Sequence, residues 1–173
     1  MATSPKFEGI EVVVARAAQP DFPSFYQENY RSVTKAVTAT IREIDLAGEA
    51  TDEAMARAYA NWAKVERYDN PAGWVYRVAL NWAISVQRRR NRLSRFKTET
   101  VTESPQIVEP GLYQALGKLD PKLRSVVVCR YLFDWTTEQT AEALAIRTGT
   151  VKSRLHRALE QLASQLSHLK DPA

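Results

Sequence analysis

The chain has 173 residues, 45% hydrophobic and 25% charged, with a formal net charge of +4 and a sequence pI of about 9.3. It is long enough for one ordinary domain or two small ones, it can bury a core, and its pI weakly favours a nucleic-acid partner. The single cysteine, Cys129, excludes an intrachain disulfide framework and a cysteine-based zinc site. Because no stretch has the length and apolarity of a membrane span or a secretory signal, we expect a cytoplasmic protein without membrane insertion.

The N-terminal half predicts helices after an irregular start. Residues 1–20 are punctuated by proline and glycine, and we expect a disordered extension there. From Asp21 apolar residues recur every three or four positions as far as Ile44, which predicts one long amphipathic helix that Gly48 breaks. A second helix is predicted from about Glu49 to Val65.

Three acids, Glu49, Asp52 and Glu53, lie in the first turns of this second helix. Their spacing raises the question of a metal site, but no histidine or further acid lies nearby in the sequence. Acidic side chains near a helix N-terminus are favourable by themselves, because they complement the helix dipole. We therefore interpret them as a solvated turn and expect neither a metal nor a cofactor.

A third helix, predicted from Pro71 to about residue 95, has two contrasting faces. One is apolar and is expected to belong to the core: Trp74, Val75, Val78, Ala79, Trp82 and Val86. The other carries hydrogen-bond donors at four-residue steps and ends in arginines: Arg77, Asn81, Ser85, Arg88, Arg89 and Arg92. Such a row suits a nucleic-acid backbone with some base contact. The two tryptophans could instead stack on unpaired bases, although we favour core packing.

Residues 96–110 predict a linker, because they are rich in threonine, serine, glutamate and proline and show no periodicity. Their charged residues from position 98 onward are all acidic, whereas the end of the preceding helix is strongly basic. The linker separates two predicted helical units, residues 21–95 and residues 111–168, and a short tail follows at 169–173.

The second unit predicts a helix-turn-helix. A short helix is expected at Leu112–Leu119, and Asp120 before Pro121 is a strong start for the next helix. Thr136 and Gln139 then have the spacing of a capping box, which predicts the start of the motif's first helix. Its inward face and the plug of the following turn are expected to be Ala141, Leu144, Ala145 and Ile146.

The second helix of the motif is predicted from about Thr150 and also has two faces. The inward stripe is expected to be Val151, Leu155, Leu159 and Leu162. The outward residues are cationic or hydrogen-bonding: Lys152, Ser153, His156 and Arg157. Such a face is what reading of the DNA major groove requires. The alternative is plain helix packing with a solvated basic face.

Two stretches together resemble a bacterial sigma factor of the extracytoplasmic-function (ECF) group in the sigma-70 family. NPAGWVYRVALNWAISVQRRRNR, from Asn70 to Arg92, resembles the segment that melts and reads the promoter's minus-ten element. TGTVKSRLHRALEQL, from Thr148 to Leu162, is similar to the segment that reads the minus-thirty-five element. GEATDEAMARAYANW, from Gly48 to Trp62, resembles the helix that grips the polymerase clamp. The resemblance implies an all-α fold with two small helical domains joined by a flexible acidic linker.

The resemblance also implies roles for individual residues, above all Asn81, which would line the pocket for a base flipped from the non-template strand. The minus-ten element would be contacted by Arg77, Asn81, Ser85, Arg88, Arg89 and Arg92. The minus-thirty-five element would be contacted by Arg147, Thr148, Thr150, Lys152, Ser153, Arg154, His156 and Arg157. Core RNA polymerase would be bound by Glu49, Asp52, Glu53, Met55, Arg57 and Tyr59.

The implied partners are core RNA polymerase, through its clamp and flap regions, and promoter DNA. An anti-sigma factor is common for this family, and no residue of the chain identifies one. Several positions depart from the family pattern. Glu49 and Asp52 stand where aspartate and glutamine are usual, and Ser85 stands where many members have aspartate. Thr140 stands where isoleucine is usual and Ala145 where glycine is usual, which predicts a softer core in the second domain.

Two other readings remain open, one a stand-alone helix-turn-helix regulator and the other a helical adaptor that binds only proteins. The first leaves the stretch from Asn70 to Arg92 unexplained, and no dimerisation heptad is evident. A nucleic-acid enzyme is the weakest reading, because no catalytic set is readable in the sequence.

Overall fold

A computed structural model describes residues 21–93 and 110–170, and all regular structure within these ranges is α-helical. This confirms the predicted all-α class. The helices are α1 Phe22–Ile41, α2 Ile44–Ala60, α3 Trp62–Val65, α4 Pro71–Leu93, α5 Pro110–Lys118, α6 Pro121–Tyr131, α7 Thr137–Leu144 and α8 Thr148–Lys170. The predictions for residues 1–20, most of the linker and the end of the tail lie outside the described residues.

The first two helices meet at Arg42 and Glu43, not at Gly48 as predicted. Arg42 has a φ of 63° and ends α1, and its backbone N–H donates to the Thr38 carbonyl. Gly48 lies inside α2, which begins at Ile44. A residue other than glycine is uncommon in the left-handed region, and the spacing of apolar residues does not reveal one. The sequence therefore did not indicate this break.

The buried face of α4 is rotated from the predicted stripe. Trp74, Val78 and Trp82 are only half-buried at the rim of the core. The buried residues are Gly73, Val75, Tyr76, Ala79, Leu80, Ala83 and Val86. The reason is that α4 packs against α7 as well as α1 and α2, so a wider and displaced face is covered.

Helix α6 is buried on several sides, which explains its apolar run. Val126 packs with Ala141 and Val151 in the core of the helix-turn-helix. Val127 joins a second cluster between α5 and α8. Val128 and Cys129 belong to the core that contains the N-terminal helices. Consecutive apolar residues of a helix point in different directions, so such a run is expected where neighbouring helices pack on several sides.

The helix-turn-helix differs from the prediction in three details. Ala145 is exposed and ends α7 with a φ of 53°, so it is not an inward residue. Leu159 is 39% exposed, and its neighbour Ala158 is buried instead. Helix α8 begins at Thr148, two residues early, and continues to Lys170, two residues into the predicted tail.

The two predicted units lie against each other. Arg124, in α6, is 6% exposed, and its guanidinium donates to the Thr40 carbonyl of α1 at 2.5 Å. It also donates to the carbonyls of Leu116, Gly117 and Leu119. Buried charge needs such hydrogen bonds, because desolvation of an ion is costly. Burial and the nearby positive charge of Arg42 lower the pKa of Arg124.

Candidate nucleic-acid interface

The second helix of the helix-turn-helix, α8, follows a helix whose start is fixed by local hydrogen bonds. The Gln139 backbone N–H donates to the Thr136 hydroxyl at 3.1 Å, and the Thr136 N–H donates to the Gln139 side-chain oxygen at 2.9 Å. Both halves of the predicted capping box are therefore present. Ile146 fills the turn, where it packs against Val126, Ala141 and Val151.

The outer face of α8 presents the predicted polar residues. The exposed members of the set are Arg147, Thr148, Lys152, Ser153, His156 and Arg157, whereas Thr150 and Arg154 are half-buried. The Ser153 hydroxyl donates to the Thr150 carbonyl at 3.1 Å, so part of its hydrogen-bonding capacity is used within the helix. His156 lies 3.3 Å from the Glu160 carboxylate, one turn further along. The remaining cations face solvent and could reach a DNA groove and its flanking phosphates.

The donor row on α4 is mostly exposed, with one exception. Asn81, Ser85, Arg88, Arg89 and Arg92 are exposed, as expected. The Ser85 hydroxyl donates to the Trp82 carbonyl of its own helix at 2.7 Å. Arg77 is half-buried, and its guanidinium donates to the Glu142 carbonyl of α7 at 3.2 Å.

A small cavity of about 190 Å³ opens near the N-terminal end of α4. It is lined by Tyr68, Asn70, Trp74, Arg77 and Glu142. Asn81 is not among the lining residues, so the structure does not place it in this cavity. The Asn70 side-chain oxygen accepts from the Gly73 backbone N–H at 2.8 Å, which caps α4, and its buried amide nitrogen has no partner. The sequence predicts a helix start at Pro71 and does not indicate this cavity.

The residues predicted to bind polymerase do not all share one surface. Met55 is 2% exposed and lies in the core, so its predicted contact with polymerase is wrong. It falls on the side of α2 that packs against α1 and α4. The others are exposed or half-buried: Glu49, Asp52, Glu53, Arg57 and Tyr59.

Local partners hold several of these side chains. The Tyr30 hydroxyl donates to the Asp52 carboxylate at 2.9 Å, and burial together with the Asp52 charge raises the pKa of Tyr30. Arg57 pairs with Glu53 at 2.7 Å. Arg90 of α4 pairs with Glu43 at 2.6 Å, a contact that the sequence analysis did not predict. In the described residues there is no cluster of three or more metal-ligating side chains and no helix that could cross a membrane.

Comparison with known proteins gives consistent results. The family model described as "Sigma-70, region 4" matches residues 111–162. The chain is 39% identical over 120 residues to the RNA polymerase sigma-E factor of Streptomyces coelicolor, which covers 65% of this chain and 67% of that protein. It is 28% identical over 171 residues to the ECF RNA polymerase sigma factor SigW of Bacillus subtilis. This alignment covers 86% of this chain and 89% of that protein.

Two solved structures have the same fold. The sigma factor RpoE from Bartonella quintana, in complex with the anti-sigma factor NepR, has a TM-score of 0.74 at 20% identity and covers 85% of this chain and 97% of that chain. CnrH, in complex with the cytosolic domain of CnrY, has a TM-score of 0.60 at 19% identity. The match covers 85% of this chain and 88% of that chain. At these identities the likeness concerns the fold alone. Together with the curated relatives, the capped helix-turn-helix and its basic outer face show that this chain belongs to the ECF group of the sigma-70 family, whose members are sigma factors of transcription initiation.

Proposed function

We propose that the protein binds core RNA polymerase and directs it to promoters that carry two separate sequence elements. In this proposal α8 reads the minus-thirty-five element and α4 melts and reads the minus-ten element. The main support for this proposal is the exposed basic face of α8. The capping box of α7 and the packed turn between the helices hold this face outward. Lys152, Ser153 and His156 would face base edges, and Arg147, Arg154 and Arg157 would contact phosphates.

The small net charge of the chain supports a function in which polymerase provides part of the DNA binding and of the DNA opening. A net charge of +4 is small, and duplex affinity from phosphate contacts scales with the number of charges neutralised. Unstacking a base step also costs a few kcal/mol. We therefore propose that the protein acts as a detachable specificity subunit and not as a tight duplex binder. A large enzyme would then share the free-energy cost of DNA opening.

The exposed acids of α2 are proposed as the contact to the polymerase clamp. Glu49 and Asp52 face solvent, and Asp52 is oriented by the Tyr30 hydroxyl at 2.9 Å. An oriented carboxylate loses less side-chain entropy when it forms a new ion pair. The C-terminal domain would contact the flap region. Because the similar structure of RpoE is a complex of a sigma factor with the anti-sigma factor NepR, an anti-sigma partner in the cytoplasm is also part of the proposal.

The test is transcription by purified core polymerase on genomic DNA fragments, with and without the protein, followed by sequencing of the run-off transcripts. Discrete new start sites that share two spaced upstream elements would support the proposal. A Lys152→Ala plus Arg157→Ala variant serves as the control, since it should lose these start sites while it still binds polymerase. Binding to polymerase without new transcripts would count against promoter selection. A tight sequence-specific complex with duplex DNA and no polymerase binding would identify a stand-alone regulator.

A further inference from the structure

The basic C-terminal end of α4 carries one arginine, Arg90, that points to a different side from its neighbours. An α-helix rotates about 100° per residue, so Arg90 is turned by about 200° from Arg88 and from Arg92, each two residues away. It lies instead on the same side as Val86, four residues earlier, which is the last buried residue of α4. Arg90 therefore faces the rest of the protein, whereas Arg88 and Arg92 continue the exposed donor row.

The turn between α1 and α2 receives this side of α4. The Arg90 guanidinium donates to the Glu43 carboxylate at 2.6 Å and lies 4.0 Å from the Glu49 carboxylate. Three residues before Arg90, the Gln87 side-chain amide donates to the Ile41 carbonyl at 3.5 Å. Ile41 ends α1, so its carbonyl has no partner within its own helix. Polar side chains thus attach the end of α4 to the turn, beyond the last buried residue.

The Glu43 carboxylate is used for this pair and not for helix capping. Glu43 occupies the N-cap position of α2, but its side chain accepts no hydrogen bond from the start of that helix. A half-exposed ion pair adds little to the stability of a whole fold, yet here it acts on a helix end without buried side chains. The other three arginines of this end form no ion pair within the described part of the chain: Arg88, Arg89 and Arg92.

We infer that Arg90 is a positioning residue, whose pairing with Glu43 fixes the end of α4 so that the other three arginines are presented to promoter phosphates. Arg90 itself does not contact DNA. The part of the inference that concerns the promoter rests on the proposed function. Because Glu43 and Glu49 belong to the start of α2, the same contacts also fix the DNA-binding end of α4 relative to the helix proposed to bind polymerase.

The first experiment measures amide hydrogen exchange in the free chain. Glu43→Gln removes the charge of the pair with little change of shape, and Asp45→Asn makes a matched change at an exposed acid in the first turn of α2. We expect Glu43→Gln to accelerate exchange over residues 88–93 by about two- to fivefold, the equilibrium effect of one exposed ion pair. Exchange over residues 75–83 should stay at the wild-type rate. Wild-type exchange over residues 88–93 in Glu43→Gln, or equal acceleration in Asp45→Asn, would overturn the inference.

The second experiment measures promoter opening by preassembled holoenzyme at several salt concentrations, on a promoter found by the run-off selection. Arg90→Ala should lower the equilibrium constant for open-complex formation by about two- to fivefold with an unchanged salt dependence, because no phosphate contact is lost. Arg89→Ala should reduce the salt dependence by about one charge. Glu43→Gln should lower the equilibrium constant as Arg90→Ala does, whereas Asp45→Asn should not.

The alternative, a phosphate contact by Arg90, predicts the opposite result for Glu43→Gln. Glu43 would then compete with DNA for the guanidinium, so loss of its carboxylate would strengthen the promoter complex. An unchanged or strengthened complex in Glu43→Gln, or a reduced salt dependence in Arg90→Ala, would overturn the inference. A holoenzyme that opens no promoter would reject the proposed function, and the exchange experiment would still decide whether Glu43 holds the end of α4.

Discussion

The hydroxyl of Tyr76 donates to the hydroxyl of Thr40 across 2.8 Å, and the two residues lie 36 positions apart in the chain. The direction follows because the Thr40 hydroxyl proton is already donated to the Ala36 carbonyl at 2.8 Å. Both side chains are buried, so this bond satisfies polar groups that water cannot reach. Thr140 is equally buried, and its hydroxyl has no hydrogen-bond partner.

This contrast predicts opposite effects of the same substitution at the two threonines. Thr140→Val should raise the free energy of unfolding by about 1 kcal/mol, because an unpaired buried hydroxyl is removed with little change of shape. Thr40→Val should lower it by about 1–2 kcal/mol, because the Tyr76 hydroxyl loses its acceptor. Urea unfolding of both variants checks the prediction. A destabilised Thr140→Val would mean that the hydroxyl has a partner.

Replacement of Ala145 by glycine should stabilise the helix-turn-helix. Ala145 has a φ of 53°, and an L-residue with a Cβ in this region costs about 1–2 kcal/mol relative to glycine. The greater freedom of glycine in the unfolded chain offsets part of the gain, so we expect a net increase of about 1 kcal/mol in the free energy of unfolding. The matched control, Ala163→Gly in the exposed middle of α8, should lose about 0.5–1 kcal/mol. Parallel destabilisation of both variants would contradict the prediction.

Asn81→Ala should impair promoter opening more than polymerase binding, because the exposed amide is proposed to act on an extruded base. Permanganate footprinting of the melted region and a fluorescence binding assay with core polymerase measure the two effects. Ser85→Ala is the control on the same stripe, and since its hydroxyl already donates to the Trp82 carbonyl, a small effect is expected. Equal loss of opening and polymerase binding in Asn81→Ala would argue against its role at the base.

Removal of the α2 acids should weaken association with core polymerase. Glu49→Ala combined with Asp52→Ala is expected to raise the dissociation constant at least tenfold, since paired charges at interfaces commonly carry energies of this size. Asp45→Ala, which removes an exposed acid in the first turn of the same helix outside the proposed contact, is the control for the loss of an acidic side chain from α2. If the double variant and Asp45→Ala bind alike, α2 is not the clamp contact.

Substitutions on the outer face of α8 should separate base contacts from phosphate contacts. Lys152→Ala and His156→Ala should change which upstream element is preferred, because a lost base contact costs about 1–3 kcal/mol for that base alone. Arg147→Ala should instead weaken binding to all sequences and reduce the salt dependence by about one charge. Selection of bound elements from a random DNA library, at two salt concentrations, measures both properties. A uniform loss in the Lys152 variant would make Lys152 a phosphate contact.

The sequence predicted the features that depend on residues close together along the chain. The capping box needs only Thr136 and Gln139, and the outward direction of Lys152 and His156 follows from the helical period. The all-α class and the family resemblance were confirmed for the same reason, since local periods and short motifs carry them. The packing of Trp82 at the core rim was predicted less well, because the period locates an apolar stripe but not its centre.

The tertiary structure decided what depends on distant parts of the chain. Met55 is buried and Arg77 is held by α7 because of the way helices pack around α2 and α4, which no window of adjacent residues contains. The bond from Arg124 to the Thr40 carbonyl joins residues 84 positions apart and ties the two halves together. A sequence period specifies which side of a helix is apolar, whereas the choice of the surface that covers it is made by the packing free energy of the whole chain.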